Sequence, residues 1–342
     1  MKKLSLLVVA VATLFTTSCV TEAEEMRLGS NETLVTFDVA APGSASRAVD
    51  INANETTTIG NGYKATELHY AIYDANWNCL KVVKDAFPAN SLTKTITLRL
   101  VKNKVYNFVF WAQAPYKAEG STVVNDFYTV SLGAVGDQNV TPSVKVNYNN
   151  DLANNDYRDA FYGKLLAFKA EVGVNPGTVT LSRPFAQVNF GINDYKEAEE
   201  MGYDITKAQT SVELSVYDTL NLRSDEVSLS DPTKTTTVFA LAALPENTTL
   251  KTADKGDFYW VSMNYILWPN ATAPNYISLT TCKMTVKMAG QNDIVVDVQS
   301  GAPANRNFRT NLVGSLLTAE KIFTVEIMPA TLNDFPTQEF NW

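Results

Sequence analysis

A single histidine limits the catalytic chemistry open to this chain of 342 residues. His69 lies in "ELHYAIYD", out of phase with Leu68, Tyr70 and Ile72. A Ser-His-Asp relay needs its imidazole beside a nucleophile held on a strained turn, and no GxSxG-type elbow occurs. His69 therefore reads as a residue on the solvent side of a strand. The carboxylates Asp151, Asp156 and Asp159 in "NNDLANNDYRD" could gather a cation through oxygen ligands, although Asn- and Asp-rich segments commonly serve as turns. The sequence contains no HExxH, paired CxxC, phosphate-binding glycine loop or DxDxDG loop. Trp77, Trp111, Trp260, Trp268 and Trp342 could stack on sugar rings where exposed, but core or edge positions are their ordinary place in a β-protein. No catalytic residue, cofactor or metal set is expected.

Two residues suit processing chemistry instead. Lys2 and Lys3 precede an apolar run from Leu4 to Phe15, too short to span a bilayer, and "TTSC" closes it at Cys19. Small residues before a cysteine, here Thr17 and Ser18, look like the lipobox of a bacterial lipoprotein, in which that cysteine is acylated and becomes the first residue. An ordinary secretory signal is the alternative. Glu22, Glu24 and Glu25 then form an acidic tether, either a surface-export signal or a plain linker. The second residue is Arg47, the only basic residue between Arg27 and Lys64. Gly43, Ser44, Ala45 and Ser46 precede it, so the segment is pliable enough to thread a protease cleft.

The net charge of −8 argues against a nucleic-acid partner, which would require a basic patch. Cys79 and Cys282 lie too far apart to suggest a disulfide framework and read as buried small hydrophobes. The sequons at Asn54 and Asn247 carry little weight in a bacterial lipoprotein.

Alternation of period two dominates the elements that must position these residues. In "LVTFDVA", Val35, Phe37 and Val39 share a face, and in "TKTITLRL" so do Ile96, Leu98 and Leu100. "KVYNFVFWA" is apolar on both faces, as a strand covered on both sides would be. Further strands are predicted at "ELHYAIYD", "TVTLSRPFAQVNFGI", "TSVELSVYDTLNL", "TTTVFALAAL", "DFYWVSMNYILW", "ISLTTCKMTVKM", "DIVVDVQ" and "FTVEIM". One helix is predicted from "DYKEAEEMGYD", with Asp194 as its N-cap. Short strands separated by turn residues indicate β-sandwiches. Pro176 and Gly177 follow an Asn-rich stretch, 147–159, that reads as a long loop. The expected division is a signal at 1–18, a tether with the first strand at 19–47, one domain at 48–175 and another at 176–342.

The lipobox cysteine, "AIYDANWNCL", "LVKNKVYNFVFWA", "LSRPFAQVNFGI", "FALAALP" and "RNFRTNLVGSLLT" occur in an order that resembles the fimbrillins, the type V pilin family of anaerobic Gram-negative bacteria. The resemblance covers essentially the whole chain. It implies an all-β fold of two transthyretin-like, Greek-key β-sandwich domains in tandem. It also implies export as an outer-membrane lipoprotein precursor, followed by polymerisation once an arginine-specific protease cuts after the first strand. The matching residue here is Arg47, with Ala48 as the new N-terminus. Val35, Phe37 and Val39 then belong to a strand that is released and replaced by a strand of a sister fimbrial subunit, head to tail. The expected donor is the C-terminal end, with Phe323, Val325 and Ile327 followed by Phe340 and Trp342 at alternate positions, a tail either free or folded back on its own domain. The expected function is that of a structural subunit of a cell-surface fimbria. The alternative is a monomeric surface lipoprotein that binds a glycan or host ligand.

Overall fold

The computed structural model describes residues 29–41, 64–88, 91–115, 127–148, 152–245, 250–253, 256–271, 275–298, 301–318, 323–329 and 338–340. Of 250–253, 323–329 and 338–340, and of Asp156 and Gly256, only the backbone path is described.

Alternating side chains build the first sandwich. Its strands are β1 (Glu32–Ala40), β2 (Glu67–Asp74), β3 (Cys79–Ala86), β4 (Thr93–Val101) and β5 (Val105–Gln113), with β6 (Tyr128–Ser131), β7 (Ser143–Val146), β8 (Ala160–Lys169) and β9 (Thr178–Thr180) following. A three-stranded sheet in the order β4-β1-β9 faces a four-stranded sheet in the order β3-β2-β5-β8. Neither order follows the chain, because the connections cross between sheets in the Greek-key manner. Val35, Phe37, Val39, Ile96, Leu98 and Leu100 meet Tyr70, Ile72, Phe108 and Phe110 in the core between them. At Gly163 in β8 an added Cβ would fall 2.6 Å from the tip of the Leu181 side chain, so a larger residue there would require that side chain to shift.

The second half repeats the arrangement. It contains β10 (Phe185–Ile192), α1 (Tyr195–Glu200), β11 (Gln209–Ser215), β12 (Thr219–Asn221), β13 (Val227–Ser228), β14 (Thr236–Ala243), β15 (Leu250–Ala253) and β16 (Gly256–Leu267). β17 (Ile277–Ser278), β18 (Cys282–Lys287), β19 (Ile294–Asp297), β20 (Pro303–Ala304), β21 (Phe308–Gly314), β22 (Phe323–Pro329) and β23 (Gln338–Phe340) complete it. A sheet in the order β15-β16-β10-β21-β22-β23 faces one in the order β14-β11-β18-β19. Val188, Phe190, Ile192, Val212, Leu214, Met284 and Val286 fill the space between. The fold is thus all-β, two β-sandwiches in tandem, as the sequence implies.

The two halves interlock. β12 of the second pairs with β7 of the first, giving a sheet in the order β13-β12-β7-β6. A third core forms where Ala71, Tyr73, Val109 and Trp111 meet Phe185, Trp260, Tyr265 and Leu267. β5 is therefore buried on both faces, as its composition suggests. Arg306 ties the halves further: its guanidinium donates to Tyr162 Oη at 2.9 Å, to the Trp268 carbonyl at 3.1 Å and to the Asp225 carbonyl at 3.0 Å.

One expected strand divides. "TVTLSRPFAQVNFGI" is two strands, β9 and β10, because Pro184 lies where the chain crosses from one sandwich to the other. β9, although it follows Pro176, pairs with β1, so the sheets part at Leu181–Pro184. The described part of the Asn-rich stretch is loop apart from the short turn Asp156–Arg158, and Asn154 within it is buried and spans both sheets of the second sandwich. Its Nδ2 donates to Thr210 Oγ1 and to the Ala243 carbonyl, each at 2.8 Å, and its Oδ1 accepts from the Met263 N–H at 2.9 Å.

Candidate functional site

β1 is the middle strand of its sheet although it comes first among the described residues. It pairs antiparallel with β4 along nine residues, Glu32↔Val101 to Ala40↔Thr93, and parallel with β9 only at Asp38, Val39 and Ala40. The Ala40 end is closed on both sides: the Leu181 N–H donates to the Ala40 carbonyl at 2.7 Å and the Ala41 N–H to the Leu92 carbonyl at 2.9 Å. Toward Glu32, where β9 no longer runs alongside, the Thr36 N–H donates to Asn175 Oδ1 at 2.9 Å.

Val35 and Val39 are fully buried and Phe37 is 3% exposed. The Phe37 ring stands edge-on to Phe110 at 6.1 Å as well as to Phe108, and those two rings lie parallel, 6.4 Å apart. Each of the three side chains contributes roughly 1.5–3 kcal/mol by leaving water. On the outer face Thr36 and Thr97 share a hydroxyl hydrogen bond of 3.1 Å, and Thr95 donates to Asp38 at 2.6 Å. The alternation read from the sequence is therefore the alternation of the site. Cys19, Arg47 and Ala48 lie outside the described residues.

At the C-terminal end, β23 pairs antiparallel with β22 in the register Val325↔Phe340 and Ile327↔Gln338. The segment carrying Phe340 is thus paired to a strand of its own chain, and Trp342 lies outside the described residues. Upstream of β22, Asp194 stands at the N-cap position of α1 as predicted, but its side chain makes no capping hydrogen bond. Its carboxylate instead accepts the backbone N–H groups of Leu316, Leu317 and Thr318 at 3.2, 2.8 and 2.7 Å, fixing the chain as it leaves β21. Sequence reasoning missed this partnership, although the receiving residues all lie in "RNFRTNLVGSLLT".

The remaining candidates take structural parts. His69 is not on open solvent: its side chain is 16% exposed, with Nε2 3.3 Å from Glu67 Oε2. Asp159 is fully buried and engaged by Arg183 through Nε at 2.5 Å and Nη2 at 2.6 Å, which removes it from any cation set. Asp151 and the Asp156 side chain lie outside the described residues, as do Asn54 and Asn247. Among the described residues no group of three or more His, Cys, Asp or Glu could hold a metal. Trp77, Trp111, Trp260 and Trp268 are all buried, so none of these four is a platform for sugar. Cys79 and Cys282 are buried free cysteines, and burial pushes both thiols up from their ordinary range.

Two sandwiches with one crossed strand order, each with its first described strand held between an antiparallel and a parallel neighbour, define a tandem β-sandwich protein. More particularly, the chain belongs to the family of unknown function DUF6562, whose model matches residues 27–339. No curated protein matches it in sequence. Solved structures to which it is similar include the fimbrial anchor protein Mfa2 from Porphyromonas gingivalis, at 10% identity and a TM-score of 0.41 over 86% of this chain and 96% of that one. A fimbrial assembly protein from Parabacteroides distasonis matches at 10% identity and a TM-score of 0.41, over 90% of this chain and 100% of that one. The tip fimbrial protein Mfa3 from Porphyromonas gingivalis matches at 11% identity and a TM-score of 0.39, over 91% and 100%.

Proposed function

We propose that this chain is a structural subunit of a cell-surface fimbria, made as an outer-membrane lipoprotein precursor acylated at Cys19 and assembled by strand exchange after cleavage between Arg47 and Ala48. One observation carries the reading: the first described strand is the central strand of its sheet, and the chain from it onward to β2 runs through Arg47. A single cut there leaves β1 held by non-covalent contacts alone.

The consequence follows from sheet physics. β4 and β9 are not neighbours, so loss of β1 leaves two unpaired edges facing one another across an apolar groove. A strand from another subunit fills that gap by β-augmentation, antiparallel to β4 and parallel to β9. A head-to-tail contact of this kind does not close on itself and so propagates as a filament. In this reading residues 1–18 are the signal, 19–47 the removable segment, and the two sandwiches form the mature subunit.

The test is to treat the precursor with an arginine-specific protease in the presence of sister subunits, and to follow cleavage and particle size together. Cleavage after Arg47, loss of the β1 fragment and growth of a polymer are expected, with the Arg47→Ala variant remaining a monomer. Equal polymerisation of Arg47→Ala would refute the processing role. A cut chain that stays monomeric while binding a glycan would favour the surface-lipoprotein alternative.

A further inference from the structure

β10 occupies in the second sandwich the place that β1 occupies in the first. Each lies between an antiparallel neighbour, β16 or β4, and a parallel one, β21 or β9. Their core-facing residues follow one pattern, Val35-x-Phe37-x-Val39 and Val188-x-Phe190-x-Ile192, and all six side chains are buried. The second sandwich keeps its copy in unbroken chain, from Pro184 into α1, and so records what this position requires when no exchange takes place.

The pattern has a physical cause in the first sandwich. The parallel rings of Phe108 and Phe110 receive the Phe37 ring edge-on, and a compact β-branched side chain lies on either side of it. A slip of one residue would turn every knob to solvent. A slip of two would keep the faces but move the ring off its two partners, so the central aromatic sets the register.

Residues 319–342 contain no such pattern. Two residues before Phe323 stands Lys321, Phe335 lies between Asn333 and Thr337, Phe340 follows Gln338, and Trp342 follows Phe340. Resting on the strand-exchange reading, we propose that the β1 place is filled by a strand of a different subunit and not by residues 319–342 of a second copy of this chain. That donor carries a β-branched–x–aromatic–x–β-branched sequence. It also presents a free N–H in the place of Thr36, where Asn175 Oδ1 accepts, which excludes proline there.

The experiment uses full-length precursor cut at Arg47, with binding of labelled peptides read by fluorescence anisotropy. The peptide of residues 32–41 is expected to bind saturably and to speed departure of the resident strand. Its Phe37→Ala form should bind on the order of a hundredfold more weakly. A form with an ester in place of the Thr36 amide should lose about threefold to tenfold, a loss that Asn175→Ala in the protein abolishes. The peptide of residues 319–342 should not bind, and the cut protein alone should stay monomeric by analytical ultracentrifugation. Binding of the 319–342 peptide within tenfold of the 32–41 peptide, or polymer formed by this chain alone, overturns the proposal while leaving strand exchange standing. If the resident strand never leaves and no peptide binds, the strand-exchange reading itself falls and takes the proposal with it.

Discussion

The ring of Phe37 meets that of Phe108 edge to face, with centroids 5.7 Å apart and planes at 72°. This contact joins the strand proposed to leave to the strand at the centre of the opposite sheet. Replacing Phe37 by Ala removes an aromatic from a closed core and should lower stability by about 3–5 kcal/mol, measured by denaturant unfolding of the uncut chain. Phe190→Ala should cost a similar amount, but only Phe37→Ala should hasten loss of the 19–47 fragment after cleavage at Arg47. Equal fragment release in the two variants would break the link between this contact and retention of the strand.

Asp159 and Arg183 form a buried pair, so removing the carboxylate takes two charge-assisted hydrogen bonds from a guanidinium stacked 5.0 Å over Phe161. Asp159→Ala should cost about 3–5 kcal/mol, visible as a lowered Tm. Calcium added to the unaltered protein should leave its Tm in place, and a saturable rise would restore the cation reading of this segment.

Asp194→Ala orphans the N–H groups of Leu316, Leu317 and Thr318 together and should destabilise the chain by about 1–3 kcal/mol. Hydrogen exchange at these three amides should accelerate, and Asp194→Asn, which keeps an accepting oxygen, should recover part of the protection. Unchanged exchange would show that the turn after β21 is held by something else.

Burial raises the thiols of Cys79 and Cys282, so neither supplies appreciable thiolate at neutral pH. A thiol reagent should leave both untouched in the native protein and label both once denaturant is added. Rapid native labelling of Cys282 would contradict its place in the second core.

The legible part of this fold was the part with clean alternation. β1 and β4 stand where period two predicts them, because each has one face on a core and the other toward solvent or polar partners, whereas β2 alternates only at its start and buries Ala71 and Tyr73 in the third core. β8 escaped because "AFYGKLLAFK" does not alternate: Ala167 sits at a positive φ of 53° where its pairing with β5 shifts register, and Leu166 is left exposed. "TSVELSVYDTLNL" broke into β11 and β12 because its two ends pair in different sheets, a fact of topology that no local pattern carries. The polar anchors were hidden for a related reason. Asn154 and Asp194 look like turn residues, and only the distant backbone groups they meet give them their parts.

The pairing of β7 with β12 through Ser143↔Asn221, Val144↔Leu220 and Lys145↔Thr219 has a mechanical meaning. A pull between the groove of the first sandwich and the last strands of the second is borne by this ladder, the packed rings beside it and the Arg306 tie, all loaded at once. Among the described residues, only the short crossing Leu181–Pro184 joins β9 to β10, and it leaves little chain to extend. In a polymer built from such subunits, bending would be confined to the joints where one chain's strand enters the next.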